Sequence, residues 1–87
     1  GRFADPIRVA HMQKKLSELR EGQSGVIHSI NEDDFFLKLM EMGFIPGETV
    51  TIEQTAPHGD PMSVTVAGYK VSLRLNEAAH ILVDCVN

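Results

Sequence analysis

The chain has 87 residues and a formal net charge of −4; from Met12 onward six lysines and arginines face eleven aspartates and glutamates, a net of −5. The six cations are scattered without interleaved aromatics, which argues against a nucleic-acid partner, because that affinity comes largely from clustered Lys and Arg neutralising phosphates. No apolar run approaches the roughly 18 residues of a membrane-spanning helix, and Cys85, the only cysteine, permits no internal disulfide and points to a reducing, cytoplasmic setting.

Residues 1–11 carry no pattern and end in His11-Met12; they read as an expression-tag remnant, with Met12 as the native start and a single domain over 12–87. At that size only about 60% of the unfolded surface is buried on folding. A helical turn opened by Ser17 is expected over Leu16 to Leu19, with both leucines plugging one end of the core. Glu21-Gly22 breaks it, and Gly25 begins a strand through Val26, Ile27 and Ile30. His28 shares strand parity with Val26 and Ile30 while Ile27 claims the other face, so parity leaves its side open.

Asn31-Glu32-Asp33-Asp34 supplies a capping side chain and negative charge where a helix dipole is positive; capping is preferred over a metal site for this acidic run. The helix ends near Met42, with Gly43 as its left-handed C′ residue and Pro46 as the stop. At about 100° per residue, Phe35, Phe36, Leu37, Leu39, Met40 and Met42 cover an arc of roughly 220°, leaving only Lys38 and Glu41 on the polar side. A helix lying on a small domain needs a stripe only somewhat wider than about 100°. The excess marks a candidate docking surface.

Three strands follow with period-two alternation: Val50 and Ile52 inward; Met62, Val64 and Val66 inward; Tyr69, Val71, Leu73 and Leu75 inward against Lys70, Ser72 and Arg74. Gly68 marks a tight hairpin. Asn76-Glu77-Ala78-Ala79 reads as a capped single helical turn before a last strand from His80 to Val86. The expected fold is mainly β: five short strands closing into a small barrel, with one short helix between the first and second strands and a helical turn before the last.

In order and spacing, Leu16-x-x-Leu19-x-x-Gly22, Gly25-x-Ile27, Lys38-Leu39-x-x-Met42-Gly43-x-x-Pro46-Gly47, Ala56-Pro57-x-Gly59-Asp60-Pro61, Gly68-Tyr69, Leu73-Arg74 and Glu77-Ala78 resemble the FeoA family of ferrous iron transport proteins. The resemblance covers essentially all of Met12 to Val86. It implies an SH3-like barrel working in the cytoplasm with FeoB, a membrane ferrous iron transporter that carries a GTP-binding domain, in an accessory and not a catalytic role. The same domain type is appended to iron- and manganese-dependent repressors, but no DNA-binding helix precedes it in this sequence. Where the family often carries arginine in the helix, this chain has Lys38. Lysine cannot form a bidentate fork, so a planar two-point contact such as an arginine finger is not expected there.

His58, Asp60 and His80 invite an iron site, since ferrous iron in many oxygenases is held by two histidines and a carboxylate. The Gly59-Asp60-Pro61 order is already explained by turn chemistry, and nothing in the sequence brings His80 near it. No metal site or cofactor is therefore expected, ferrous iron being the one candidate. Cys85 near the C-terminus, the lack of a phosphate loop and the lack of a nucleophile elbow leave no basis for an enzyme. A proline-rich-peptide groove needs a ladder of exposed aromatics, and Tyr69, the single tyrosine, is expected in the core.

The expected function is a non-enzymatic cytoplasmic accessory of ferrous iron transport. It docks on the cytoplasmic GTP-binding portion of FeoB through Phe36, Leu37, Lys38, Leu39, Met40 and Glu41, and meets the membrane only through that partner. The alternative is a regulatory domain that senses ferrous iron directly and signals to a partner. Self-association into a homodimer through the same apolar face is an equally physical outcome.

Overall fold

The computed structural model describes residues 12–85; the tag reading of residues 1–11 and the predicted strand end at Val86 lie outside the described residues. In chain order the elements are β1 (Gln13–Lys15), a 3-10 turn (Leu16–Glu18), β2 (Ser24–Ile30), α1 (Phe36–Glu41), β3 (Thr49–Thr55), β4 (Met62–Val66), β5 (Tyr69–Leu73), α2 (Leu75–Ala78) and β6 (Ile81–Cys85). The strands form one antiparallel sheet in the order β1-β6-β2-β3-β4-β5. One more strand exists than the five expected. β1 reads Gln-Lys-Lys, with no apolar alternation; its existence depends on β6, against which Gln13 faces Asp84 and Lys15 faces Leu82. The first and last described strands therefore lie side by side, and the Cys85 N–H donates to the Met12 carbonyl at 2.9 Å.

The core joins Leu16 and Leu19 from the turn region to Ile27, Ile30, Val50, Ile52, Met62, Val64, Val66, Leu73, Ile81 and Val83 from the strands, and Leu39 and Phe44 from α1 and its exit. A register shift between β2 and β6 falls at Ile27/Ser29. It inserts His28 as an extra residue, so Ile27 and Ile30, three apart, both turn inward while His28 stays exposed. That bulge settles the face that parity left open. Gly25 is required by close approach: a Cβ there would lie 3.0 Å from Val83 Cβ and 3.1 Å from the Asp84 carbonyl oxygen.

β5 departs from its predicted alternation. Leu73 is buried and Val71 half-buried, but Tyr69 is 72% exposed, so its expected place in the core is corrected. It is the first residue of β5, an edge strand of the sheet, directly after the two-residue turn Ala67-Gly68 and opposite the buried Val66. Both turn residues have positive φ, 52° and 84°, the pattern of a type I′ turn that matches strand twist. For Ala67 that left-handed conformation costs about 1 kcal/mol. Leu75, placed on the strand by parity, is instead the first residue of α2. The strand stops because side chains take its next two donors: Glu77 Oε1 accepts the Arg74 N–H at 3.1 Å and Asp60 Oδ1 accepts the Leu75 N–H at 3.0 Å.

Candidate functional site

α1 begins where β2 leaves the sheet. The Asn31 N–H donates to the His80 carbonyl at 2.9 Å, and Asp33 Oδ1 accepts the Phe35 N–H at 3.0 Å. The acidic run thus orders the entry through Asp33, two residues ahead of the N-cap position, Phe35, whose own side chain caps nothing. His80 Nδ1 lies 2.6 Å from Asp33 Oδ2, and the His80 and Phe35 rings are tilted with centroids 5.1 Å apart.

The exit is a Schellman motif. The Gly43 N–H donates to the Met40 carbonyl at 3.1 Å and the Phe44 N–H to the Leu39 carbonyl at 3.0 Å, with Gly43 at φ 106°. The motif's usual apolar contact joins Leu39 to Phe44, both fully buried. Phe44, among the largest fully buried side chains, went unnoticed in the sequence because it sits past the helix stop; the Gly-x-x-Pro spacing is the signal that could have found it.

Of the six candidate docking residues, Leu39 is fully buried and is withdrawn from the surface, because it sits at the centre of the inward face. Phe36 and Met40 are half-buried, packed against the core along with Phe35 and Met42. Leu37 is 71% exposed; it stands about 160° round the helix from Leu39 at 100° per residue. Most of the wide apolar arc is thus absorbed by the domain, and Leu37 is the large apolar side chain of α1 left outward. Glu41 is exposed beside it.

Lys38, one of the expected docking residues, is engaged within the domain. Its Nζ lies 2.5 Å from Glu77 Oε2, and the Glu77 side chain is only 7% exposed while that of Lys38 is 59% exposed. The Lys38 hydrogen bond holds the Glu77 carboxyl below its usual range; burial opposes this, and the Arg74 backbone N–H adds to it. The pair ties α1 to α2 across 39 residues of sequence. An acidic residue inside the run Leu75 to Ile81 was the available signal: a buried carboxylate needs a cation.

Exposed apolar side chains continue beyond α1. A Cβ on Gly43 would lie 3.7 Å from Ala67 Cβ and 3.8 Å from Val66 Cγ1, so the end of the helix abuts the β4–β5 turn. Ile45, two residues past Gly43, is 44% exposed, and Tyr69, two residues past Ala67, is 72% exposed. Sequence reasoning missed both.

The three metal candidates are not brought together as a site. His58 is exposed in the loop between β3 and β4, Asp60 caps Leu75, and His80 faces Asp33. Among the described residues no three His, Cys, Asp or Glu side chains gather as a metal-binding group. A cleft of about 440 Å³ lies by Arg20, Glu21, Thr55 and Met62; its carboxylate, Glu21, accepts the Thr55 N–H at 2.8 Å and hydroxyl at 3.1 Å.

The mainly β, single-sheet fold with a helix inserted ahead of β3 defines a small module of the SH3-like class. The FeoA domain model matches residues 14–85, and the chain belongs to the FeoA domain family. It is 40% identical over 74 residues to the Fe(2+) transport protein A/Fe(2+) transporter FeoB fusion protein of Porphyromonas gingivalis, a match spanning 84% of this chain and 9% of that relative. A FeoA-like protein from Clostridium acetobutylicum superposes with a TM-score of 0.82 at 34% identity, covering 86% of this chain and 88% of the other. Stenotrophomonas maltophilia FeoA in complex with zinc, described as a prokaryotic SH3 domain protein, gives 0.71 at 35% identity over 84% and 89%.

Proposed function

We propose that this domain is a non-enzymatic accessory of ferrous iron transport that works in the cytoplasm, docking on the cytoplasmic GTP-binding portion of a FeoB-type transporter through the outward side of α1. The observation that carries this reading is the relative in which a 40% identical segment shares one polypeptide with a FeoB transporter. The exposed Leu37 on a helix fixed at both ends supports the choice of surface, because a rigid apolar anchor binds without an ordering penalty. No helix among the described residues is long and apolar enough to cross a membrane, so the transporter itself would supply the membrane connection. Docking changes transport only if the domain binds one conformation of the partner better than another.

The test is binding of the full chain to the purified cytoplasmic domain of a FeoB-type transporter with metal chelated. Binding without iron that is lost in Leu37→Glu and weakened in Met40→Glu, with both variants folded, is the expected result. Binding that requires ferrous iron and tolerates both changes would replace the adaptor with a metal sensor.

A further inference from the structure

We infer that the β4–β5 hairpin forms the second half of the docking surface and that Tyr69 is its specificity-determining contact. The inference rests on the reading of α1 as the docking element and extends it to a part of the fold remote in sequence.

Three observations converge. Tyr69 shares its strand face with Val71 and Leu73, which turn toward the core, yet it is 72% exposed, and its hydroxyl has no hydrogen-bond partner among the described residues. Pairing with Val66 across the strands uses part of the ring, but most of it stays in solvent, where a rigid, amphipathic side chain is the kind that interfaces favour. Leu37, Ile45 and Tyr69 are, with Met12, the large exposed apolar residues of the described chain; two of them flank the contact between Gly43 and Ala67, and the third lies on the helix leading into it. Finally, the hairpin tip holds Ala67 at φ 52° where asparagine or glycine would relieve the backbone, and backbone strain of this kind gathers at binding sites.

The occupant this surface fits is the transporter's cytoplasmic domain and not a second copy of the chain. Three large exposed side chains offer little apolar area, and a free dimer of ordinary stability buries about 800 Å² on each partner. A tether supplies what a small patch lacks: in the fusion relative the two parts share one chain, and a short linker gives effective concentrations of about millimolar. Charge points the same way. With Lys38 engaged by Glu77 and Glu41 exposed beside Leu37, the matching partner surface is apolar with a basic group opposite α1 and a hydrogen-bond acceptor opposite the Tyr69 hydroxyl.

The experiment measures Kd for the purified cytoplasmic domain of a FeoB-type transporter with wild type, Tyr69→Ser, Tyr69→Phe and Leu37→Glu, each checked for an unchanged unfolding transition. Tyr69→Ser is expected to weaken binding tenfold or more, and Tyr69→Phe by a smaller factor. Loss in Leu37→Glu with wild-type affinity in Tyr69→Ser would sink the hairpin inference and leave the α1 reading standing. Wild-type affinity in Leu37→Glu with loss in Tyr69→Ser would overturn the α1 reading and leave the hairpin as the whole site. A dimer that Tyr69→Ser dissociates without altering transporter binding would assign the hairpin to self-association and overturn the proposed occupant.

Discussion

Along β3 and β4 burial alternates residue by residue: Val50 faces Val66 and Ile52 faces Val64, all four fully buried, with Thr51 and Thr65 between them half-exposed. Where α1 meets α2, by contrast, the grip is polar and long-range: Lys38 on Glu77 and Asp33 on His80, contacts spanning 39 and 47 residues of sequence. The β3–β4 pair is built by hydrophobic burial that each strand specifies locally, and the corner by polar contacts that have meaning only once the chain has folded. The candidate docking helix belongs to the second kind. Its apolar inner residues attach it, but polar contacts to α2 and its exit set its posture.

The sharpest way to break this contrast is within α1 itself. Leu39→Ala should cost about 3 kcal/mol through loss of buried methyl groups and the cavity left behind, while Leu37→Ala should fall within about 0.5 kcal/mol of wild type; urea denaturation decides it. Equal losses would mean that both faces of the helix are core. Next in size, Lys38→Met should cost about 2 kcal/mol by leaving Glu77 buried without its cation. That is less than the loss for a wholly buried pair, because Lys38 is half in water. Adding Glu77→Gln should recover most of it, and no recovery would show that Lys38 acts through packing of its stem.

A smaller effect depends on pH. The folded-state pKa of Glu77 lies below its usual value, chiefly through Lys38, so the stability it adds is complete above the ordinary glutamate range and is lost as pH falls through the folded value. The stability difference between wild type and Glu77→Gln should therefore shrink between pH 7 and pH 3; a constant difference would remove the ion pair from the account. Smallest of all, Ala67→Asn should raise stability by about 0.5 kcal/mol by accepting the left-handed conformation more readily, seen as a small rise in Tm. A drop instead would show that the alanine methyl matters more to the helix contact than to the turn.

The same contrast explains what the sequence revealed. Val50, Ile52, Met62, Val64 and Val66 announced their strands because a half-buried strand writes period two into its residues, and Gly43 with Pro46 announced the end of α1. Features set by distant partners left no local trace. β1 has no pattern of its own, His28 changes face only through a bulge in pairing with β6, and Tyr69 fits the inward parity but stands at the start of an edge strand. Likewise the width of the apolar arc of α1 is written in its own residues, but how much of it is covered is set by the core it packs against. Of the six candidate docking residues, Leu39 is core and Lys38 is committed to Glu77, while Ile45 and Tyr69 enter the candidate surface from segments the helix pattern could not reach.

The adjacency of β1 and β6 bears on how such a module travels between architectures. Entry and exit lie on neighbouring antiparallel strands, where facing Cα atoms are about 5 Å apart, with Gln13 opposite Asp84. A host polypeptide could accept the unit at a single seam, as one accepts a bead slipped onto a thread, and neither flanking segment would have to cross the sheet. Grafting of this kind leaves α1 and the hairpin tip unaltered, so the same contacts could serve a separate subunit and a fused segment alike.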